Sequence, residues 1–372
     1  MGSMGASSQP ISGVAKFYLL MEQQFFILLA VISIILTIYV LWRMVGVSNS
    51  SDKTQRQGGV WLQEAQSHRV LRLGLGFLWL VDGLLQAQPA MSNQFISGVI
   101  QPISSSQPAF LAAWMEWGSR IWSQHPYAYD LFAMWIQVAI GLLLLFGGMR
   151  MWSKVGLVLS LGWGLIVWIF GEGFGGLLSG SATWLSGAPG SVVFYLIAAG
   201  LLLLPNEWWE SARLRRPMQR LMGIFWILLA LLQAWPSQLF WTAKGLSGPV
   251  QAMASMPQPH ILSEILFAFA NALAAHPVIW NGLFVLIMTT LGFLFLIRSE
   301  SHYTWWLAFG WLFGTWFLGQ DFGVLGGLGT DPNSAPPFAL LLVATIILQK
   351  KGPQDTDLKG SSHVFQQGFF AH

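Results

Sequence analysis

Between Phe25 and Trp42 eighteen consecutive residues carry no charge, between Leu131 and Met149 nineteen, and between Pro277 and Ile297 twenty-one. A helix of about 18 apolar residues crosses a ~30 Å hydrocarbon core. The charged share of the whole chain is 9%, with 54% hydrophobic residues. Soluble domains carry about 25% charged residues. The chain therefore reads as an all-α polytopic membrane protein whose core is helices packed in lipid. Its 21 Trp suit belts at the two interfaces.

The spacing predicts nine transmembrane helices, at about 22–43, 71–90, 128–149, 153–172, 191–205, 219–236, 277–298, 303–319 and 336–350. The first has no basic cluster before it and no small-residue cleavage site after it, so it is expected to be a retained helix, not a signal peptide. With the N-terminus outside and the C-terminus cytoplasmic, all but three of the 18 Lys and Arg fall on inner segments. The exceptions are Lys16, Arg120 and Lys244. That asymmetry fits the positive-inside rule and a multi-pass location in the cell membrane.

Internal similarity organises the rest. Gly76-Phe-Leu-Trp79 through Gln86-Ala-Gln-Pro89 matches Gly223-Ile-Phe-Trp226 through Gln233-Ala-Trp-Pro236. Ser97-Gly98 pairs with Ser247-Gly248, and His125-Pro126 with His276-Pro277. Gly171-Glu172-Gly173-Phe174-Gly175 pairs with Gly319-Gln320-Asp321-Phe322-Gly323, and Ala188-Pro189 with Ala335-Pro336. The offset stays between 147 and 151 residues. The expected layout is one leading helix and two parallel four-helix repeats. In residues, it is an N-terminal outer segment 1–21, the leading helix 22–43, a cytoplasmic loop 44–69, a first repeat 70–208, a solvated basic linker 209–217, a second repeat 218–350 and a cytoplasmic tail 351–372. Amphipathic stretches at Phe110–Trp122 and Ile261–Ala275 are expected as helices on the outer interface, either roofing a cavity or lying there alone.

Chemistry-bearing positions gather at the outer ends. His125 and His276 each precede a proline that opens a helix, and so sit at helix N-termini. Asp82 lies ten residues past Arg72 on one helix, about 15 Å deep. A carboxyl at that depth faces protein or water and is protonated, hydrogen-bonded or cation-paired. It is either a proton or cation site or a neutral hydrogen-bonded Asp. Glu172 is either a carboxylate in a glycine-lined outer cavity or an ordinary interfacial acid. Across the repeats Asp82, Asp130 and Glu172 stand opposite Leu229, Asn281 and Gln320, while Asp321 stands opposite Gly173. The first repeat is thus the expected proton or cation site and the second the scaffold; the alternative is drift in a duplicated protein. The candidates are Asp82, Asp130, Glu172, His125, His276, Gln320 and Asp321.

Other chemistries find no footing. With no cysteine there is no disulfide exchange, thiolate metal site, iron–sulfur ligation or c-type haem attachment. No metal-ligand spacing lies on any predicted helix, and no His lies at haem depth. Nucleophile elbow, phosphate loop and dinucleotide fingerprint are all missing. The net charge of +3 follows membrane topology and implies no nucleic-acid partner.

Arg72-Leu-Gly74-Leu-Gly76-Phe77-Leu-Trp79, followed by Gly83-Leu-Leu-Gln86, resembles the first helix of the DoxX-like membrane family, to which the quinone-reducing DoxD subunit belongs. Members are small four-helix bundles, the size of each repeat here. Gln86 and Gln233 stand where that family often has a Lys. The resemblance implies redox work near a quinone, alongside a membrane or redox partner subunit. It supplies no catalytic residue and leaves open whether the chain is an enzyme. The alternative is a non-enzymatic transporter or binding protein for a proton, cation or small molecule, using Asp82 and Glu172.

Overall fold

The computed structural model describes residues 64–149, 151–297, 301–325 and 327–350, with a few between 13 and 24. The leading run, most of the loop after it and the tail lie outside them. Among the described residues every regular element is helical. In chain order they are α1 (Gln66–Gln86), α2 (Met91–Ser105), α3 (Ala109–Gln124), α4 (Pro126–Phe146), α5 (Met151–Gly171), α6 (Ser191–Leu202), α7 (Asn206–Glu210), α8 (Arg215–Ala234), α9 (Ala243–Ala254), α10 (His260–Ala275), α11 (Pro277–Leu296), α12 (His302–Leu318) and α13 (Ala335–Lys350). Single 3-10 turns join some of them.

Four of these, α4, α5, α8 and α11, are long and apolar enough to cross a membrane. A fifth candidate is α1 with α2, bent by 73° at their junction. Helices occupy all eight predicted span positions after the leader, yet α6 and α13 are shorter apolar helices of 10–17 residues, and α12, with 17 residues, is also not among the spans. The amphipathic stretches are helices α3 and α10. Of the apolar face expected on α3, only Leu111 and Met115 are buried, and Trp114 is 51% exposed. The sequence reading missed α2 and α9 as helices. Each contains a proline (Pro102, Pro249) that interrupts the periodic signal.

Close helix contacts rest on glycine. A Cβ on Gly141 would lie 2.8 Å from the Gly76 carbonyl oxygen, so α1 and α4 touch backbone to backbone there. Gly223 and Gly292 give α8 and α11 the same intimacy. Lipid offers no hydrophobic drive between helices, so such small-residue seams supply the packing. The centre is aromatic. Trp184, from the loop before α6, meets Phe194, Phe225, Trp226 and Phe338 with ring centroids 5.2–6.1 Å apart. Its N–H donates to Thr315 Oγ1 at 2.8 Å.

The stretch expected as a solvated linker is partly core. Trp209 and Leu214 are buried, and Trp209 packs edge-on to His68 at 5.5 Å. An apolar ring is held under α1, while the arginines beside it keep the charge that prompted the expectation.

Candidate functional site

Two corners frame one end of the bundle. At the first, α5 ends at Gly171 and the backbone turns left-handed through Gly173, Phe174 and Gly175 (φ 54°, 56° and 61°). The second does so through Asp321, Phe322 and Gly323 (φ 49°, 56° and 71°). This region penalises a Cβ. Gly175 has a further reason to be glycine, because a Cβ there would run into the Pro189 carbonyl. Each corner is pinned by a tryptophan. The Trp168 N–H donates to Pro189 O at 3.0 Å and the ring meets Phe174 at 4.9 Å. The Trp316 N–H donates to Pro332 O at 2.8 Å and the ring meets Phe322 at 4.8 Å.

The residue at each corner reaches the helix that follows. Glu172 Oε1 accepts the Ser191 hydroxyl at 2.8 Å and the Val192 N–H at 3.3 Å, at the start of α6. Gln320 Oε1 accepts the Ala335 N–H at 3.2 Å, at the start of α13, and its amide donates to Trp184 O at 2.8 Å. Both satisfy N–H groups that a helix start leaves free.

Beside the first corner opens a cavity of about 1390 Å³. α1 lines it with Trp79, Asp82 and Gln86, α4 with Tyr129 and Gln137, and the corner with Glu172 and Ser191. The 218–350 half contributes Met253, Gln320, Asp321 and Asp331. Four carboxyl side chains line the cavity, and among the described residues no Lys, Arg or His does.

Asp82 is 3% exposed, and its Oδ1 accepts the Tyr195 hydroxyl at 3.2 Å. Asp331 is held in its loop by the Asn333 N–H at 2.7 Å and by the Thr330 hydroxyl at 3.0 Å. Burial pushes the Asp331 carboxyl above its ordinary value, and the Ser191 hydroxyl partly offsets this. Glu172 lies just past the end of α5. Burial first, and the Asp331 carboxyl second, raise it to about 8. Burial raises Asp321 to about 6. Both Asp321 oxygens are buried with no hydrogen-bond partner among the described residues, as is Glu172 Oε2.

The remaining sequence candidates stand elsewhere. His125 and His276 are exposed and precede α4 and α11; neither lines the cavity. Asp130 is fully buried and accepts from the Gln86 amide. In the other half Gln233 donates to Asn281 Oδ1 at 2.7 Å. Arg72 is buried in α1 but pairs with Glu64, not with Asp82.

Three residues of the site were not singled out in the sequence: Asp331, Tyr195 and Ser191. Asp331 lies in Gly-Thr-Asp-Pro-Asn, which reads as a turn. Its one distinguishing signal is an acid four residues before the Ala335-Pro336 landmark. Among the described residues no three His, Asp or Glu side chains stand where they would hold a metal ion. No family model matches this chain, and no curated protein or solved structure does.

Proposed function

We propose that this chain is an integral membrane protein of duplicated DoxX-like type, with nine spans and its N-terminus outside, that binds or passes a proton or cationic small molecule. Its site is the outer-facing cavity between the two repeats. The single observation that carries this reading is the one-signed lining: Asp82, Glu172, Asp321 and Asp331, with no basic side chain among the described residues. Such a cavity offers carboxyl partners to protons and cations and no partner of opposite charge to an anion. Asp82, on α1, takes the proton or cation, while Glu172 and Asp331 share Ser191 as a partner.

The duplication is supported by like contacts at like positions. Gln86 with Asp130 corresponds to Gln233 with Asn281, and the Gly76–Gly141 seam to the Gly223–Gly292 seam. The Glu172 corner corresponds to the Gln320 corner. The cavity acids nevertheless come from both repeats, Asp82 and Glu172 from the first and Asp321 and Asp331 from the second.

A quinone-linked redox role with a partner subunit is the second reading. It draws on the resemblance of α1 and on the aromatic rings around the cavity. Solvent extraction of quinone and an absorbance spectrum of the purified protein test it: a co-purifying quinone supports it, and a bare spectrum with no quinone counts against it.

Proteoliposomes test the first reading. Wild-type protein should dissipate an imposed proton or alkali-cation gradient faster than empty vesicles, and Asp82→Asn should abolish the difference. Equal fluxes in wild type and variant would sink it.

A further inference from the structure

We infer that the cavity takes an amphipathic organic monocation, its charged head among Asp82, Glu172 and Asp331 and its apolar body against the aromatic wall. This rests on the cation reading above and names the class of cation.

Three features select the class. The first is the absence of a metal cage, since among the described residues no three His, Asp or Glu side chains stand close enough together to hold a metal ion. A bare divalent ion would be under-coordinated there. The second is the wall. Phe95 and Trp122 lie with ring centroids 4.9 Å apart, Trp122 and Tyr129 at 6.0 Å, and Trp117 and Phe170 at 6.0 Å, all lining the same cavity. Ring faces in a carboxyl-lined pocket are how proteins hold organic cations. The third is unfilled hydrogen-bonding capacity. Among the described residues Glu172 Oε2 is buried without a hydrogen-bond partner, and so is Oε1 of Gln137, a cavity residue only 7% exposed. Buried polar atoms of this kind are rare unless something else meets them. The volume, about 1390 Å³, exceeds the ~300–1,000 Å³ of ordinary ligand pockets, leaving room for a bulky body.

Binding displaces a proton. Asp331, from the loop before α13, acts on Glu172 through its charge, and Glu172 acts likewise on Asp82 of α1 and Tyr195 of α6; among the described residues no Lys, Arg or His lines the cavity. Burial and the Asp331 carboxyl, which raise Glu172 to about 8, favour its protonated form near neutral pH. When the cation arrives, that proton leaves to solvent and the carboxylate balances the new charge.

Tetraphenylphosphonium is the probe and tetraphenylborate, its anionic twin of like shape, the control, both measured on full-length protein in nanodiscs against empty nanodiscs. The phosphonium should bind saturably and the borate should not. Affinity should rise about tenfold per pH unit up to about pH 8, then level off. Glu172→Gln should remove the pH dependence and weaken binding about tenfold or more. Gln320 already holds a helix start with an amide, so this variant should fold, and an unchanged unfolding midpoint checks it. Glu172→Asp, which keeps the charge, should retain the preference for the cation. Equal binding of both probes, or phosphonium binding indifferent to pH and to Glu172→Gln, overturns the inference. Should the phosphonium fail to bind while Asp82-dependent flux persists, the inference falls and the functional reading stands. Loss of both sinks both.

Discussion

Replacing Glu64 with Gln breaks a lock at the end of the bundle away from the cavity. Glu64 lies 2.7 Å from Arg72 Nη2 and 2.7 Å from His68 Nδ1. Arg72 donates onward to the Leu144 carbonyl at the end of α4, and His68 Nε2 lies 3.3 Å from Leu202 O at the end of α6. One carboxylate thus orients two side chains that cap two other helices. Burial alone would raise the Glu64 carboxyl; hydrogen bonds from Arg72 and His68 outweigh it and hold it at about 2, against an ordinary 4.5. At ~1.36 kcal/mol per pH unit that gap is worth ~3 kcal/mol. The side chains of Arg72 and Glu64 are 5% and 12% exposed, so solvent screens the pair little. Removing one partner of a buried pair costs a similar ~3–5 kcal/mol. The folded-state value is depressed, so this stability is present above about pH 4.5 and lost as pH falls towards about 2. Unfolding by SDS in mixed micelles should show Glu64→Gln less stable than wild type by ~3 kcal/mol at pH 7, with the difference shrinking at pH 3. A loss below ~1 kcal/mol at pH 7, or one that acid does not shrink, would refute the reasoning.

Other perturbations separate fold from site. Gly141→Val forces a side chain onto the Gly76 carbonyl and should cost ~1–3 kcal/mol in the same assay, with Gly292→Val a matched test on the Gly223 seam. Asp130→Asn recreates the Gln233–Asn281 pair and should stay within ~1 kcal/mol of wild type, whereas Gln86→Leu strips the buried Asp130 of its donor and should cost ~1–3 kcal/mol. Trp184→Phe removes the bond to Thr315 and part of a packed ring; a loss under ~0.5 kcal/mol would contradict its central place.

The helices were legible because an uncharged run is a one-dimensional signal. His125 and His276 were legible as helix starts for a similar reason, since Pro126 and Pro277 fix the first turn. Glu172 and Gln320 announced themselves through the repeated glycine corner. Their hydrogen bonds to α6 and α13 did not, because the helix they reach begins 15 to 19 residues later. Asp331 was hidden more thoroughly. It is a turn residue by local chemistry and becomes a cavity residue only because its loop folds back towards Ser191. Tyr195 looked like one more aromatic in an apolar helix until Asp82 was placed beside it. Trp209 was misread because charge in neighbouring residues says nothing about where one ring in the middle points.

The most direct test of the cavity is whether it holds a protonated carboxyl at neutral pH. Infrared spectra of the purified protein should show a protonated-carboxyl band at pH 7 that fades as pH rises through about 8, is diminished in Glu172→Gln, and drops when tetraphenylphosphonium is added. A wild-type spectrum at pH 7 with every cavity carboxyl ionised, or a band that neither Glu172→Gln nor the cation alters, would contradict the account.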